Sequence, residues 1–359
     1  MKIDSLQLLR AVAALLVVLN HALFTIKRKA GVDTVDMAQA AALGKLGVEL
    51  FFMISGYIMV ISTRDRSAPG AQPLAFFWRR CIRVVPLYWL ATLIYALKLA
   101  VSGEPPSLAA MFKSLLFIPY ENAKGYWHPV YGLGWTLNYE MLFYALFALA
   151  LTQKLARGVA GLLLLMGAAV GAGLWLNPAP GSGHEQLLAF WCAPILLCFC
   201  AGMALGWWRL ALGQRVWRLR FQVQAALALG FILAYCFGIQ QWQGAQLFSP
   251  LAALGAMGVC GLAAESPSGA GCASSLRRGV VLLGGASYSL YLTHSFVLGP
   301  AGRAWGLAAW HGGTAAFLAL TLVLTVLLAL AVYRWLEQPL QAFLLRRLPA
   351  PAALPAQPG

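Results

Sequence analysis

The chain alternates between long apolar runs and short polar segments, which predicts a series of membrane-spanning helices. A helix needs about 20 consecutive, largely apolar residues to cross the hydrocarbon core of a bilayer. Several of the runs also contain glycines, which favour close helix packing in lipid. The predicted spans are residues 6–26, 45–62, 84–101, 133–151, 158–176, 187–208, 222–240, 245–264, 280–299 and 314–336. The pattern therefore predicts an all-α integral membrane protein, a bundle of about ten transmembrane helices.

The segments between and after the spans suggest further features. Residues 73–89 combine aromatic and basic side chains, which is typical of an interfacial helix leading into the third span with Pro86 near the join. Residues 102–132 form either a cover over an extracytoplasmic opening or a plain connector. We expect one transmembrane domain over 1–345 and a disordered, Pro/Ala-rich cytoplasmic tail over 346–359.

Composition agrees with a membrane protein and excludes several other classes. The 359 residues are 61% hydrophobic and only 10% charged, whereas a soluble domain carries about a quarter charged residues. The net charge of +15 lies in short clusters between apolar runs, as topology signals and contacts with membrane lipids do. The sequence shows no basic face with aromatic platforms, which is the pattern expected of a nucleic-acid-binding protein. The seven cysteines have no metal-binding spacing, and we interpret them as small packing residues.

The distribution of basic residues predicts the orientation of the chain. With a cytoplasmic N-terminus, the inner segments hold sixteen Lys and Arg residues and the outer segments hold seven. This excess predicts that both termini are cytoplasmic. Residues 27–29, which are all basic, are the main exception. Because the apolar core continues to Ile26 without a convincing cleavage site, we expect the first helix to be a retained span and not a signal peptide.

The first span contains two ionisable residues, Arg10 and His21. Eleven residues are close to three helical turns, so both side chains share one face, roughly 16 Å apart along the axis. An ionisable residue inside a spanning helix is a functional candidate by default. The structural alternative is that Arg10 snorkels to the inner interface and His21 lies near the outer one.

Other polar residues occur in the second, fourth and ninth spans. Glu49 lies near the outer end of its span, where we expect water to surround it. Glu140 lies deeper and requires a cation or a hydrogen-bond donor, so a structural ion pair is as plausible as a functional role. Ser287, Tyr291 and His294 follow helical spacing and predict one polar stripe, with Ser287 deep in the span, which favours a lined cavity.

Arg79, Arg80 and Arg83 form a cluster at the predicted cytoplasmic mouth. The cluster is either a topological anchor or a phosphate-binding site, because guanidinium groups match phosphate oxygens. A neutral histidine can act as a general base on a hydroxyl group. Together these residues suggest group transfer from an anionic donor inside to an alcohol outside. The alternative class is a transporter or flippase for a polysaccharide precursor, with Arg10, His21 and Glu140 as a proton relay.

Six ordered segments resemble the membrane-bound acyltransferase 3 family. They are Arg10-x10-His21, the GVELFFMISGY segment at 47–57, the RxxRxxPxYW segment at 80–89, WTLNYE at 135–140, SYSLYLTH at 287–294 and EQP at 337–339. Val84 stands where the family usually has Ile. The matches cover about residues 3–340, and the short chain is similar to the exopolysaccharide O-acetyltransferase branch.

The resemblance implies an acyl-CoA-dependent O-acyltransferase of a bacterial inner membrane. The acyl group is commonly acetyl, acetyl-CoA is a co-substrate and not a tightly bound cofactor, and the acceptor is an extracytoplasmic or lipid-linked saccharide. Polysaccharide-assembly machinery is an expected partner. The implied catalytic residues are His21 as general base with Arg10 and Glu140. The residues expected to contact CoA are Arg79, Arg80, Arg83 and Ser55, and those expected to contact the acceptor are Tyr291, His294 and Trp135.

Overall fold

A computed structural model describes most of the chain. The described residues are 4–30, 36–65, 72–122, 125–176, 183–213, 215–216, 218–241, 248–262, 264–265, 275–308 and 313–348. The predicted disordered tail lies outside them beyond residue 348.

Helices account for nearly all of the described structure. They are α1 (Asp4–Ala30), α2 (Met37–Ser62), α3 (Pro73–Val101), α4 (Leu108–Leu115), α5 (Trp135–Ala150), α6 (Leu155–Leu176), α7 (Gly183–Trp191), α8 (Leu196–Leu212), α9 (Phe221–Gln241), α10 (Ser249–Leu262), α11 (Ser275–Gly285), α12 (Ser287–Ala308), α13 (Gly313–Val332) and α14 (Gln338–Leu345). A π-helical turn, Tyr333–Glu337, joins the last two. The short strands β1 (Arg218–Leu219) and β2 (Ala264–Glu265) pair in parallel.

Every predicted span falls on helical structure, so the all-helical membrane class agrees with the sequence. Among the described residues, seven helical segments are long and apolar enough to cross a bilayer, or eight if α11 and α12 count as one bent span. The predicted fourth and eighth spans correspond to α5 with 16 residues and α10 with 14. The count of ten spans and the cytoplasmic termini stay predictions.

The course of the helices differs from the prediction at Pro86 and within the ninth span. No break marks the expected join near Pro86, because α3 runs from Pro73 through Pro86 as one helix. Spanning helices tolerate proline where neighbouring groups satisfy the freed backbone. The predicted ninth span is broken by a 75° bend between α11 and α12. Ser287 therefore begins a helix after the bend and does not lie deep within a straight span.

The described chain divides into two compact units. The first combines residues up to Tyr57 with Ala204–Leu336, and the second combines Ile58–Met203 with residues from Glu337 onward.

Helix α1 is the central element of the first unit. It packs against α9, α10, α11, α12 and α13. Its contact with α2 is close at Gly47, where an added Cβ would lie 2.6 Å from the Ala13 carbonyl oxygen. Gly284 on α11 similarly faces the backbone of Gln7. A buried apolar cluster, Ala14, Val18, Leu290 and Ala329, joins α1 to α12 and α13. This packing holds the polar face of α1 against α12.

In the second unit, α3 packs against α4, α5 and α14. Two side chains of α3 bond to the carbonyl groups at the end of α4: Tyr88 Oη donates to Ser114 O at 3.1 Å, and Trp89 Nε1 donates to Leu115 O at 2.8 Å. Ser114 Oγ in turn accepts from the Val130 amide at 2.9 Å. The 102–132 segment is thus folded onto α3 and contains a helix of its own.

Candidate active site

Two histidines that are far apart in the sequence meet in the first unit. His21 on α1 and His294 on α12 have ring centroids 4.9 Å apart, with the ring planes tilted by 54°. Both are polar residues singled out in the sequence, on separate spans. The packing of α1 against α12 brings them together.

The hydrogen bonds of the two rings determine their tautomers. His21 Nδ1 lies 2.8 Å from Val17 O, and His294 Nδ1 lies 2.7 Å from Tyr291 O. A carbonyl oxygen only accepts, so both Nδ1 atoms must carry the proton. Both Nε2 atoms are then lone-pair acceptors in the neutral imidazoles. The site therefore presents two potential bases, the two Nε2 atoms. The two Nδ1–H donors are already bonded to backbone carbonyl groups.

The two rings differ in their access to other molecules. His294 is 0% exposed, and its Nε2 has no hydrogen-bond partner among the described residues. His21 is only half-buried. Of the two lone pairs, that of His21 is therefore the one placed to meet a substrate.

Aromatic and hydroxyl groups surround His294. The Tyr291 ring lies 6.2 Å from the His294 ring, and Phe51 on α2 packs edge-on against Tyr291 at 6.1 Å. Ser287 is fully buried at the start of α12, and its Oγ has no hydrogen-bond partner in the described structure. Ser55 on α2 is half-buried. Tyr291 and His294 do share the polar stripe that their spacing predicts.

Arg10 is enclosed by protein. It is 8% exposed, and its Nη1 donates to Gln7 Oε1 at 3.3 Å one turn away. A snorkelling arginine would extend toward the interface, whereas Arg10 lies buried inside the first unit. Along the axis of α1 it lies roughly 16 Å from His21, too far for both to touch one reacting atom.

A buried polar cluster around Glu49 was not predicted. The expectation that water surrounds this carboxylate is wrong, because Glu49 is 2% exposed. Its Oε1 lies 3.7 Å from Lys45 Nζ, and Ser249 lies beside both Glu49 and Tyr235. Glu49 Oε2, Ser249 Oγ and Tyr235 Oη form no hydrogen bond within the described residues. Glu49 could be recognised in the sequence because it is a carboxylate in an apolar run. Nothing in the local sequence identified Ser249 or Tyr235 as its neighbours.

The second unit contains a cationic cluster built on Arg80. Its guanidinium lies over the Phe76 ring at 5.4 Å and the Tyr144 ring at 5.9 Å. Tyr144 Oη donates to Glu140 Oε1, and the charges of Glu140 and Arg83 both act on Arg80. Glu140 thus has the donor and the nearby cation that its burial requires. The sequence did not indicate Tyr144, which links Glu140 to the arginine.

The outer arginine and the predicted tryptophan have different surroundings. Arg79 is exposed, whereas Arg80 and Arg83 are half-buried. Trp135 begins α5, and its ring stacks with that of His128 at a centroid distance of 6.4 Å, while the Tyr126 ring stacks with His128 at 6.0 Å. Burial lowers the pKa of His128, which lies in the segment between helices. His128 therefore contacts both aromatic rings in the second unit.

The predicted site residues fall into two groups. The first unit contains His21, Arg10, Ser55, Tyr291 and His294, and the second contains Arg79, Arg80, Arg83, Glu140 and Trp135. Within the described residues, no group of three or more His, Cys, Asp or Glu side chains could hold a metal ion.

Comparison with known proteins gives one family and two relatives. A family model described as an acyltransferase domain, that of the acyltransferase 3 family, matches residues 3–334. The exopolysaccharide production protein ExoZ of Rhizobium meliloti strain 1021 is 34% identical over 316 residues, which cover 83% of this chain and 90% of the relative. The acyltransferase MdmB of Streptomyces mycarofaciens is 26% identical over 344 residues, 87% and 84% of the two chains. No solved structure matches.

Proposed function

Because this chain belongs to the acyltransferase 3 family, we propose that it transfers an acetyl group from cytoplasmic acetyl-CoA to a hydroxyl group of a saccharide. The observation that carries the proposal is the His21 ring. Its Nδ1 proton is bonded to Val17 O at 2.8 Å, which leaves the half-buried Nε2 lone pair for a hydroxyl proton. A neutral imidazole held in one tautomer is the arrangement that general base catalysis requires.

In the proposed reaction, the acceptor hydroxyl transfers its proton to His21 Nε2 as its oxygen attacks the thioester carbonyl carbon. The new carbon–oxygen ester bond forms, the carbon–sulfur bond breaks, and the CoA thiolate takes the proton from His21, which returns the base to its neutral form. No metal ion is needed for this balance. The products are the acetylated saccharide and free CoA.

The arginines are proposed to hold the donor. Arg80 and Arg83 lie together in the second unit with Arg79 exposed beside them, and guanidinium groups bind phosphate oxygens bidentately. We assign them to the phosphates of CoA, and Glu140 with Tyr144 to positioning Arg80. Arg10 and Ser55 are assigned to the donor as well.

The acceptor is proposed from the relative and from the aromatic residues. ExoZ is named for exopolysaccharide production, so we propose a saccharide of the cell envelope, extracytoplasmic or lipid-linked, in a bacterial inner membrane. Trp135 with its ring stack, and Tyr291 beside the histidine pair, are assigned to the sugar. Transfer to a growing polysaccharide also implies contact with its assembly machinery.

Ester content of the surface polysaccharide tests this proposal directly. We compare the wild-type strain, a deletion strain, and deletion strains that carry His21→Ala or His21→Gln, and measure O-acetyl esters by NMR. Loss of a general base lowers the rate by about 10²–10⁴, so both variants should resemble the deletion. Membrane levels of each variant, measured by immunoblot, control for expression. Unchanged ester content in the deletion strain would rule out acyl transfer and favour the transporter interpretation.

A further inference from the structure

The Nε2 atom of His294 is a buried hydrogen-bond acceptor, and contact with a substrate does not explain its role. His294 is 0% exposed and its Nε2 has no hydrogen-bond partner in the described structure. An unsatisfied buried acceptor is costly to leave in a folded protein. Because this atom has no exposed surface, we look for its partner in the neighbouring His21 ring.

In its neutral form His21 cannot be that donor. Its Nδ1 proton is bonded to Val17 O, and its Nε2 carries a lone pair. Two lone pairs cannot form a hydrogen bond with each other. The situation changes when His21 takes a proton from the acceptor hydroxyl, because both of its ring nitrogens are then donors.

The distance between the rings suits such a bond. An N–H···N hydrogen bond of about 2.9 Å between two imidazoles places their ring centroids about 5 Å apart. The observed centroid distance is 4.9 Å. The rings therefore need to turn but not to approach one another.

The helices around the two histidines carry few charged residues. α9, α10 and α13 carry no charged residue within their helical ranges, and α12 carries the titratable Tyr291 beside His294. The remaining charged residues on helices packed against α1 are Lys45, Glu49, Arg277, Arg278 and Arg303. His294 is the polar ring that contacts His21, with the ring centroids 4.9 Å apart.

We propose that His294 is a positioning residue for the His21 base, which accepts a hydrogen bond from the His21 imidazolium formed during acyl transfer. After the acceptor hydroxyl gives its proton to His21 Nε2, the ring turns and donates this N–H to His294 Nε2. His21 then gives this Nε2 proton to the CoA thiolate and returns to its neutral form, while His294 stays neutral throughout. The inference rests on the proposed function, and it assigns His294 to the base instead of to the acceptor sugar.

The test uses the full-length protein in proteoliposomes. The donor is acetyl-CoA, and the acceptor is a preparation of oligosaccharides from the host exopolysaccharide with its esters removed by mild alkali. Release of CoA thiol gives kcat, both KM values and the pH profile of kcat/KM. His294→Phe keeps a ring but removes the acceptor. His294→Gln keeps an acceptor near the Nε2 position. Thr293→Val is the matched control, because the Thr293 hydroxyl donates to Ser289 O of its own helix at 2.7 Å.

Loss of a charge-assisted hydrogen bond predicts that His294→Phe lowers kcat about 10- to 100-fold with both KM values unchanged. The acidic limb of its pH profile moves to lower pH, since protonated His21 has lost its stabilising partner. His294→Gln keeps more activity than His294→Phe, and Thr293→Val behaves as wild type. If His294→Phe yields no folded protein, His294→Asn, which removes the acceptor at the Nε2 position, supplies the same comparison.

Equal losses in the Phe and Gln variants with an unmoved acidic limb would overturn the proposal and leave His294 as a packing residue. Wild-type kcat in His294→Phe would do the same. Neither result affects the proposed function. That function fails separately if His21→Gln releases CoA thiol as fast as wild type, and the assignment of His294 then fails with it.

Discussion

The contact between α1 and α2 at Gly47 makes a quantitative prediction about stability and activity. A Cβ on Gly47 would lie 2.6 Å from the Ala13 carbonyl oxygen and 2.9 Å from Val17 Cγ2. The first atom belongs to the backbone of α1 and cannot rotate away. To restore ordinary contact, the helices must separate by roughly 0.8 Å. Gly47→Ala should therefore weaken the first unit.

The magnitude follows from comparison with a glycine that has free space. Overpacking of this kind costs about 1–3 kcal/mol, partly offset because alanine favours helix by about 1 kcal/mol over glycine. Gly258 on α10 has nothing within 4 Å of an added Cβ, so Gly258→Ala carries the helix gain alone. The difference between the two variants isolates the packing cost. At about 2–4 °C per kcal/mol, a cost of about 2 kcal/mol separates their melting temperatures by roughly 4–8 °C.

Thermal unfolding of the detergent-solubilised protein, monitored by size-exclusion chromatography, measures this difference in melting temperature. Gly44→Ala is an intermediate case, because its added Cβ meets the movable Asn20 side chain. Activity per folded molecule should also fall in Gly47→Ala, since the Val17 carbonyl anchors His21 Nδ1 at 2.8 Å. Equal melting temperatures for Gly47→Ala and Gly258→Ala would refute the close packing of α2 on α1.

Two further predictions concern the second unit. Arg80→Ala and Arg83→Ala should each raise the KM for acetyl-CoA about tenfold or more, as expected for a lost charge-assisted phosphate contact. The control is Arg157→Ala, which removes an exposed arginine at the start of α6. Equal KM values in all three variants would favour the interpretation of the arginine cluster as a topological anchor. Burial lowers the pKa of His128 from its ordinary value of 6.5, so its contribution to stability is complete above about pH 6.5 and is lost as the pH falls. Melting temperatures measured against pH should show this acid loss in wild type and not in His128→Phe, where the ring on Trp135 cannot ionise.

Hydrophobic periodicity predicted most of the fold. Each predicted span corresponds to helical structure, because lipid leaves the backbone no other way to satisfy its hydrogen bonds. The continuity of α3 through Pro86 and the 75° break before Ser287 were not predicted. Both depend on whether neighbouring helices support the backbone at those points, and the local sequence does not contain that information.

The candidate site was predicted as individual residues. Arg10, His21, Glu140 and His294 were recognisable because ionisable groups are costly within apolar runs. The burial of Glu49 was not, because its exposure depends on Ser249 and Tyr235, which come from helices about 200 residues away in the sequence.

The sequence by itself determined the membrane class, the helices, the family resemblance and the identity of the buried polar residues. These follow from local chemistry, since each apolar run and each polar exception within it can be recognised in isolation. Only the tertiary structure decided that His21 meets His294, that both rings donate from Nδ1, and that one lone pair is accessible while the other is sealed. Contacts between helices depend on how small residues such as Gly47 and Gly284 let the backbones approach. No periodicity along one helix specifies which face of another helix it will meet.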